Sequence, residues 1–330
     1  MLEPRAGQIT ARVLACGICG SDLHALAHAD QMVEMSRLSG GGAEDDPMTP
    51  KIMDINRDVV MGHEFCAEVL EVGENVGNAK PGDIVVSMPI VFDSAGIHPV
   101  GYSNDYPGGY AEQLVLADVL TMKVPNGLDP RHAALTEPMA VGLHAVNKSR
   151  VTQRGAALVL GCGPVGLAVI AALRLAGVET IVAADYSPRR RQLAAVVGAT
   201  EVIDPRTEPA IEAWRRVDGN KPLVIFEAVG IAGMLDQAII DAPRAAQVVV
   251  VGVCMAPDTI RPMVAIGKEL NLQFVLGYDP MEFGATLQRI AEGEIDVAPL
   301  ITGEVDLDGV AGAFEDLADP DAHAKILVVP

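Results

Sequence analysis

Two short segments of the chain carry side chains that could bind a metal and move a proton. Residues 17–24 read GICGSDLH, and residues 62–64 read GHE. They supply a thiolate, a hydroxyl, two imidazoles and a carboxylate, at Cys19, Ser21, His24, His63 and Glu64. A catalytic zinc takes about three protein ligands of such types and keeps one position open. The two segments therefore predict a catalytic metal site.

A third ligand is needed beside Cys19 and His63, and the two candidates are Glu64 and Glu137. Glu137 lies just ahead of a long apolar helix pattern. Cys16 forms a C-x-x-C pair with Cys19, which could indicate a redox pair or a zinc knuckle. The chain has no second C-x-x-C, and the alternation of the preceding residues favours a buried Cys16. We therefore interpret Cys16 as a core residue.

A glycine-rich loop predicts a dinucleotide site. It reads GCGPVG between a strand pattern and an apolar helix pattern. In this motif the first glycine allows a tight turn, the second lets the backbone approach a pyrophosphate, and the third lets helix and strand pack closely. The pyrophosphate is expected at the helix N-terminus, where free N–H groups favour an anion. The predicted contacts are Gly161, Gly163, Pro164, Val165 and Gly166.

The residues after the next strands predict which dinucleotide binds. Asp185 ends the second strand pattern, about twenty residues after the loop, where a carboxylate can accept hydrogen bonds from both ribose hydroxyls. It would also repel a 2′-phosphate, which favours NAD over NADP. Arg189, Arg190 and Arg191 follow closely, and one of them could stack on adenine or soften that preference, or all three could simply lie in solvent. Val229 and Gly230 follow the fourth strand pattern and are expected beside the nicotinamide half.

The elements that carry these residues fall into two parts. The first part is β-rich, with short β-branched or alternating runs between Gly, Pro and Asn turns, which predicts a compact barrel. Its predicted strands are residues 8–15, 64–72, 83–88 and 111–116. From about residue 130, strand and helix patterns alternate, which predicts a doubly wound sheet of six parallel strands with helices on both faces.

The predicted strands of that sheet are residues 157–160, 180–184, 201–203, 223–226, 247–251 and 271–276. The helices between them are predicted at residues 164–176, 188–197, 209–216, 232–241 and 261–268. The last fifty residues, with helices at 281–292 and 310–318 and a strand at 325–329, are expected to return to the first part.

Bulk properties bound the class of protein. The 330 residues suit two domains, and with aromatic residues at 4% the cores must be aliphatic. A formal charge of −20 argues against nucleic acid and anionic membrane partners. No apolar stretch follows the first residues, so no secretory signal is expected. Five cysteines at irregular spacing suit a reducing compartment, and we expect a cytoplasmic protein.

The motifs GICGSDLH, GHE, Glu137-Pro138 and the glycine loop with its Asp185 resemble, in this order, the zinc-dependent medium-chain alcohol dehydrogenases. The resemblance covers nearly the whole chain and is strongest to the polyol (sorbitol-like) and threonine dehydrogenase branch. It implies a GroES-like catalytic domain, residues 1–139 and 281–330, and a Rossmann NAD-binding domain, residues 140–280.

The same resemblance assigns roles to the site residues. It implies that Cys19 and His63 bind a catalytic zinc and that Glu64 binds it directly or in alternation with water. Glu137 falls where the branch carries its further ligand, direct or through water. Ser21 and His24 fall on the family's proton-relay positions, so the expected reaction moves a hydride between NAD and a secondary alcohol or polyol bound to zinc as an alkoxide.

Three departures from the family pattern carry expectations of their own. Residues 87–110 contain no cysteine, so the structural zinc of many members is expected to be absent. The 38 residues between His24 and His63 exceed the usual spacing, and the insertion, residues 25–58, is expected to form a lid, a rim of the cleft or an interface. Few residues precede Gly7, so the barrel is expected to lack its first strands.

Two other functions remain open at this point. One is a zinc-free quinone or enone reductase of the same fold, and the other is a non-catalytic dinucleotide-binding relative. In each case the expected partner is a small molecule, an alcohol or ketone for the dehydrogenase. The strand pattern at residues 271–276 could form a sheet edge that pairs across a two-fold axis, so we expect a homodimer or homotetramer.

Overall fold

The computed structural model describes residues 2–39 and 49–330 and builds them around two large sheets. The strands of the β-rich part are β1 (Gln8–Gly17), β2 (Glu64–Val72), β3 (Ile84–Ser87), β4 (Ile90–Asp93), β5 (Gly96–Pro99), β6 (Gln113–Ala117) and β7 (Thr121–Lys123). Its helices are α1 (Gly20–Ala27), α2 (Ala29–Ser39), α3 (Pro130–Ala133) and α4 (Thr136–Lys148).

The second part alternates strands and helices as the sequence predicted. Its elements are β8 (Ala156–Leu160), α5 (Pro164–Leu175), β9 (Thr180–Ala184), α6 (Pro188–Val197), β10 (Glu201–Ile203), α7 (Ala210–Asp218), β11 (Leu223–Glu227), α8 (Met234–Asp241), β12 (Gln247–Val250), α9 (Pro262–Lys268) and β13 (Asn271–Phe274). The chain then ends with α10 (Pro280–Ala291), β14 (Ile301–Val305), α11 (Val310–Asp316) and β15 (Lys325–Val328).

Residues 156–274, all of which the structure describes, form the predicted sheet of six parallel strands. Its order is β10-β9-β8-β11-β12-β13. Alternate residues of its central strands enter different cores. Ala157 and Val159 of β8 belong to one buried cluster, while Ala156 and Leu158 belong to another. Both faces are therefore covered, which explains why these strands read as continuous apolar runs.

Among the described residues, the other large sheet has seven strands and centres on β1. Its order is β14-β15-β1-β2-β3-β7, and β6 also pairs with β1. One edge of β1 pairs with β2, and the other edge is shared between β6 and β15. The two final strands therefore join the sheet that the first strand starts.

The sequence patterns missed several short elements. The hairpin of β4 and β5, the short β7, β14 and the helices α2 and α3 were not predicted. No helix in the described part of the chain is both long and apolar enough to cross a membrane. The uncharged run at residues 156–173 is instead divided between β8 and α5.

The insertion at residues 25–58 leaves the site region along α2 and returns against the β4–β5 hairpin. Residues 40–48 lie outside the described residues. On the return, the Lys51 backbone N–H donates to the Ile97 carbonyl at 2.7 Å. The Asn104 side chain donates to the carbonyls of Asp54 and Asp58, at 3.1 and 3.2 Å. The returning segment is thus fixed to the turn that follows the hairpin.

The stretch at residues 87–110, where the sequence predicts no structural zinc, is tied together around Asp93. Its carboxylate accepts hydrogen bonds from Arg5 at 3.1 Å, His98 Nε2 at 2.9 Å and the Tyr106 hydroxyl at 2.9 Å. The Ala95 backbone N–H adds a bond of 2.8 Å. A single carboxylate therefore joins the hairpin to the start of β1.

Asp93→Asn is expected to lower the free energy of unfolding by about 1–3 kcal/mol at neutral pH. Burial raises the pKa of Asp93, but its hydrogen bonds outweigh burial and lower the pKa to about 2. The stabilisation is therefore present above the ordinary pKa and is lost as the pH falls towards 2. Urea unfolding of the wild type and of Asp93→Asn, measured between pH 7 and pH 3, should show the difference between their free energies of unfolding shrinking as the pH falls.

The matched control for Asp93→Asn is Asp105→Asn, in the same region. Asp105 pairs with Arg57, but both side chains are more than half exposed, so little change is expected. Equal losses in the two variants would contradict the assigned role of Asp93.

Candidate metal and cofactor site

Among the described residues, Cys19, His63 and Glu64 form a group whose ligand atoms all lie within 4.8 Å of one another. The pairing of β1 with β2 brings them together, because Gly17 at the end of β1 is opposite Glu64 at the start of β2. Cys19 follows as the N-cap of α1. The two motifs at residues 17–24 and 62–64 thus meet at one end of the sheet.

The donor set of this group fits zinc. A thiolate and an imidazole are preferred zinc ligands, and a carboxylate completes the three that a catalytic site uses. Ligand atoms around a tetrahedral zinc lie roughly 3 to 4 Å apart, so small side-chain shifts suffice here. The orientation of His63 fits as well, because one ring nitrogen faces a buried carboxylate and leaves the other for an ion.

That carboxylate is Asp22, which is fully buried. It accepts hydrogen bonds from the Cys19 backbone N–H at 2.9 Å and from the hydroxyls of Tyr102 and Tyr110 at 2.8 and 2.7 Å. His63 Nδ1 lies 3.3 Å from Asp22 Oδ1, without good hydrogen-bond alignment. Burial lowers the pKa of His63, but the interactions with the Asp22 carboxylate and with Cys19 together outweigh burial and raise the pKa. Such a carboxylate orients a ligating imidazole.

Glu64 is engaged by a buried lysine from the far end of the chain. Lys325 Nζ lies 2.8 and 2.6 Å from the two Glu64 oxygens and donates to the Ile18 carbonyl at 2.9 Å. The side chains are 0% and 3% exposed, so both charges lie out of water. A Cβ on Gly17 would stand 2.1 Å from Glu64 Oε2, so only glycine admits this carboxylate.

Glu137 lies in the first turn of α4 and outside the group of three. Burial raises its pKa to about 7, with the charge of Glu64 adding to the effect. Burial also raises the pKa of the nearby Tyr278, with the charge of Glu137 adding to the effect. The structure thus separates the two candidate carboxylates, since Glu64 is in the cluster beside Lys325 and Glu137 is at its margin.

Ser21 and His24 both lie on α1. Ser21 Oγ is 3.5 Å from His63 Nε2 and 2.9 Å from the Tyr102 hydroxyl. His24 is one turn further along and partly exposed. Ser21 does not cap the helix, because Cys19 is the N-cap. The hydroxyl is therefore available beside the metal-binding group.

The glycine loop has the predicted geometry. Gly161 has a φ of +89°, a left-handed turn that favours glycine. A Cβ on Gly166 would stand 2.0 Å from the Gly161 carbonyl oxygen, so the third glycine permits the close packing of α5. Gly163 is the N-cap of α5 and faces open space, with Arg190 as its nearest neighbour at 3.9 Å. Pro164 begins the helix.

The residues around the loop are placed for a dinucleotide. Asp185 accepts hydrogen bonds from the backbone N–H groups of Cys162 and Ser187, at 2.7 and 2.8 Å. Arg190 points its guanidinium towards Gly163 and has a buried Nε without a partner. The backbone N–H groups of Val229 and Gly230 donate to Glu227, at 2.7 and 2.9 Å, and the Val229 side chain lies against Gly161.

Sequence reasoning missed several residues that contact the site. The first is Asp22, the partner of His63. The others are Tyr102, Tyr110, Tyr278 and Lys325. A local signal existed for Asp22, because a carboxylate three residues after an N-cap forms a capping box, and the structure shows that box. The other four come from distant parts of the chain and carry no local pattern.

Comparisons with known proteins identify the family of the chain. Residues 5–126 match the family model of the alcohol dehydrogenase GroES-like domain, and residues 164–292 match that of the zinc-binding dehydrogenases. The chain is 34% identical over 341 residues to (R,R)-butanediol dehydrogenase of Bacillus subtilis (strain 168), covering 99% of this chain and 94% of the relative. The crystal structure of 2R,3R-butanediol dehydrogenase from B. subtilis superposes with a TM-score of 0.82, covering 100% of this chain and 94% of that one.

Two further structures carry nicotinamide cofactors. A candidate zinc-binding dehydrogenase from Sinorhizobium meliloti 1021, solved with NADP, has 27% identity and a TM-score of 0.81 over 100% of this chain and 94% of that one. An alcohol dehydrogenase from Escherichia coli CFT073, complexed with NADH, has 25% identity and the same TM-score and coverage. On the matching domains and the B. subtilis relative, the chain belongs to the zinc-type medium-chain alcohol dehydrogenase family.

Proposed function

We propose that the protein transfers a hydride between a secondary alcohol or polyol and NAD at one zinc site. The observation that carries this proposal is the group of Cys19, His63 and Glu64, backed by Asp22 and Lys325. The B. subtilis butanediol dehydrogenase supports a vicinal diol as the first substrate to test. The glycine loop at the start of α5 supports the dinucleotide.

When bound, zinc supplies a Lewis acid that lowers the pKa of an alcohol oxygen, and NAD supplies the hydride acceptor. Cys19, His63 and Glu64 hold the metal in this proposal, and Glu137 binds at the margin through water. Ser21 Oγ, 3.5 Å from His63 Nε2, would accept a hydrogen bond from the alcohol O–H, and the partly exposed His24, one turn further along α1, would release a proton to solvent.

Zinc content and NAD reduction, measured together on purified protein, test the proposal. We expect one zinc per chain, because residues 87–110 hold no cysteine for a second site. We also expect NADH formation with at least one alcohol in a panel led by butane-2,3-diol and sorbitol. A protein purified without chelator that contained no zinc would contradict the proposal and favour a zinc-free reductase.

Asp185→Asn is expected to reduce the preference for NAD over NADP by roughly tenfold. The substitution keeps the shape of the side chain but removes the charge that accepts ribose hydrogen bonds and repels a 2′-phosphate. Equilibrium titrations that follow NADH and NADPH fluorescence give both dissociation constants. An unchanged ratio would move the choice of cofactor to the nearby arginines, Arg190 first.

We also propose that two copies pair through β13, the edge strand of the parallel sheet. Large apolar side chains on and beside it are exposed, namely Met263, Ile266, Phe274 and Leu276. An edge strand with free N–H and C=O groups can pair antiparallel with its own copy across a two-fold axis. Sedimentation equilibrium should give at least a dimer, and a monomer of wild-type protein would contradict this.

The domain boundaries are part of the proposal. Residues 1–139 and 281–330 would form the catalytic domain and residues 140–280 the NAD-binding domain. Support comes from β14 and β15, which pair with each other and join the sheet of β1, and from the six strands between residues 156 and 274, which form a sheet of their own.

A further inference from the structure

One tyrosine hydroxyl connects the proposed proton acceptor to the carboxylate behind the metal-binding group. The Tyr102 hydroxyl oxygen lies 2.9 Å from Ser21 Oγ and 2.8 Å from Asp22 Oδ1. Ser21 and Asp22 are neighbours in the first turn of α1, whereas Tyr102 comes from the turn after the β4–β5 hairpin. The contact is therefore tertiary, and a backbone turn of α1 alone would not create it.

The chemistry of the three groups fixes the direction of both hydrogen bonds. An ionised carboxylate only accepts, and a phenol has one proton to donate. The Tyr102 proton therefore goes to Asp22, and the Tyr102 oxygen accepts the proton of Ser21. Since the Ser21 proton is directed to Tyr102, the lone pairs of Ser21 Oγ remain for other donors, on the side where His63 Nε2 lies at 3.5 Å.

The Tyr102 ring also lies beside the metal-binding group. Its centroid is 5.3 Å from that of the His63 imidazole, with the planes tilted by 40°. Asn104, two residues further along, fixes this turn to the backbone of the insertion through its bonds to Asp54 and Asp58. The insertion that distinguishes this chain thus supports the turn that carries Tyr102.

We propose that Tyr102 positions the alcohol substrate: it keeps Ser21 Oγ as the acceptor for the alcohol O–H, and its ring forms the wall of the site beside His63. This inference rests on the dehydrogenase function proposed above. It makes the insertion a support for substrate binding, through the turn that it fixes. The residue acts through Ser21, so its effect should appear in binding of an O–H group.

The test compares Tyr102→Phe with Tyr110→Phe in the zinc-loaded protein with NAD. The second variant removes a hydrogen bond to Asp22, of 2.7 Å, and a longer contact of 3.4 Å with the Gly17 carbonyl, but no contact to Ser21, and so measures the cost of weakening the support of Asp22. The probe is 2-methyl-2-butanol, a tertiary alcohol that has an O–H but no hydride to give. Calorimetry measures its binding, and steady-state rates with the best alcohol of the panel give KM and kcat.

We expect Tyr102→Phe to weaken binding of the tertiary alcohol and to raise KM by about tenfold, with a smaller change in kcat. Tyr110→Phe should change both by clearly less, and the zinc content should stay at the wild-type value in each variant. In a Ser21→Ala background, Tyr102→Phe should cause little further loss in binding of the tertiary alcohol, because the two residues act as one unit.

Two results would overturn the inference. If Tyr102→Phe and Tyr110→Phe changed alcohol binding and KM equally, the only role of Tyr102 would be its hydrogen bond to Asp22. If Tyr102→Phe weakened alcohol binding as much in the Ser21→Ala background as in the wild type, Tyr102 would not act through Ser21. Failure of the parent proposal is distinguishable, because wild-type protein would then lack zinc or reduce no NAD with any alcohol, and both proposals would fall together.

Discussion

Cys19→Ser is expected to yield purified protein without zinc and with turnover lower by about a thousandfold or more. A serine hydroxyl stays protonated at neutral pH, whereas a thiolate is the form that binds zinc. Without the metal, the alcohol oxygen loses the Lewis acid that lowers its pKa. Elemental analysis and NADH absorbance measure the two losses.

The variant should nevertheless fold. Cys19 is the N-cap of α1, and serine is among the preferred N-cap residues, so the helix start is preserved. Circular dichroism and urea unfolding of the metal-free forms check this point. Cys254→Ser, the same change at a cysteine outside the cluster, should keep its zinc. Retention of both zinc and rate in Cys19→Ser would show that Cys19 is not a ligand.

Lys325→Met is expected to destabilise the zinc-free protein by about 3–5 kcal/mol, the typical cost of breaking a buried ion pair. The substitution keeps the length and apolar stem of the side chain but leaves the Glu64 charge without its buried partner. Zinc binding should recover part of the loss, because the ion brings positive charge to the same carboxylate. Urea unfolding with and without zinc measures both effects.

The double variant Lys325→Met/Glu64→Gln supplies the control for Lys325→Met. It removes both charges, so its loss of stability should be well below the sum of the two single losses. Additive losses would mean that the pair contributes no interaction of its own. Zinc-independent destabilisation in Lys325→Met would contradict a metal position next to Glu64.

The sequence predicted the parallel sheet well because its signals are local. Buried parallel strands read as short apolar runs, and the structure shows a steric reason for glycine at Gly161 and Gly166. The ligand types in residues 17–24 and 62–64 predicted a shared metal site, and the family resemblance then assigned roles to its residues. The pairing of β1 with β2 brings these two segments together, and the residues between the two strands carry no sequence signal for that pairing.

The rest of the site depends on contacts between distant residues. Lys325 reads as an ordinary lysine at the start of a strand, and its partner Glu64 is 261 positions away. Tyr102 lies in a polar turn whose position is set by the hairpin and the insertion. Tertiary packing decides which charged or aromatic side chains enter a site, and the hydrophobic periodicity of the sequence does not identify those side chains.

The pairing of Glu64 with Lys325 also bears on how the protein is made. Glu64 lies on the second strand of the chain, opposite Gly17, but its counter-ion lies on β15, the last strand to be translated. While the ribosome is still synthesising the intervening residues, the carboxylate must stay hydrated, protonated or bound to an ion. The ion pair can therefore form only after residue 325 has been translated, and in the zinc site proposed above an ion bound earlier would be the first partner of the Glu64 charge.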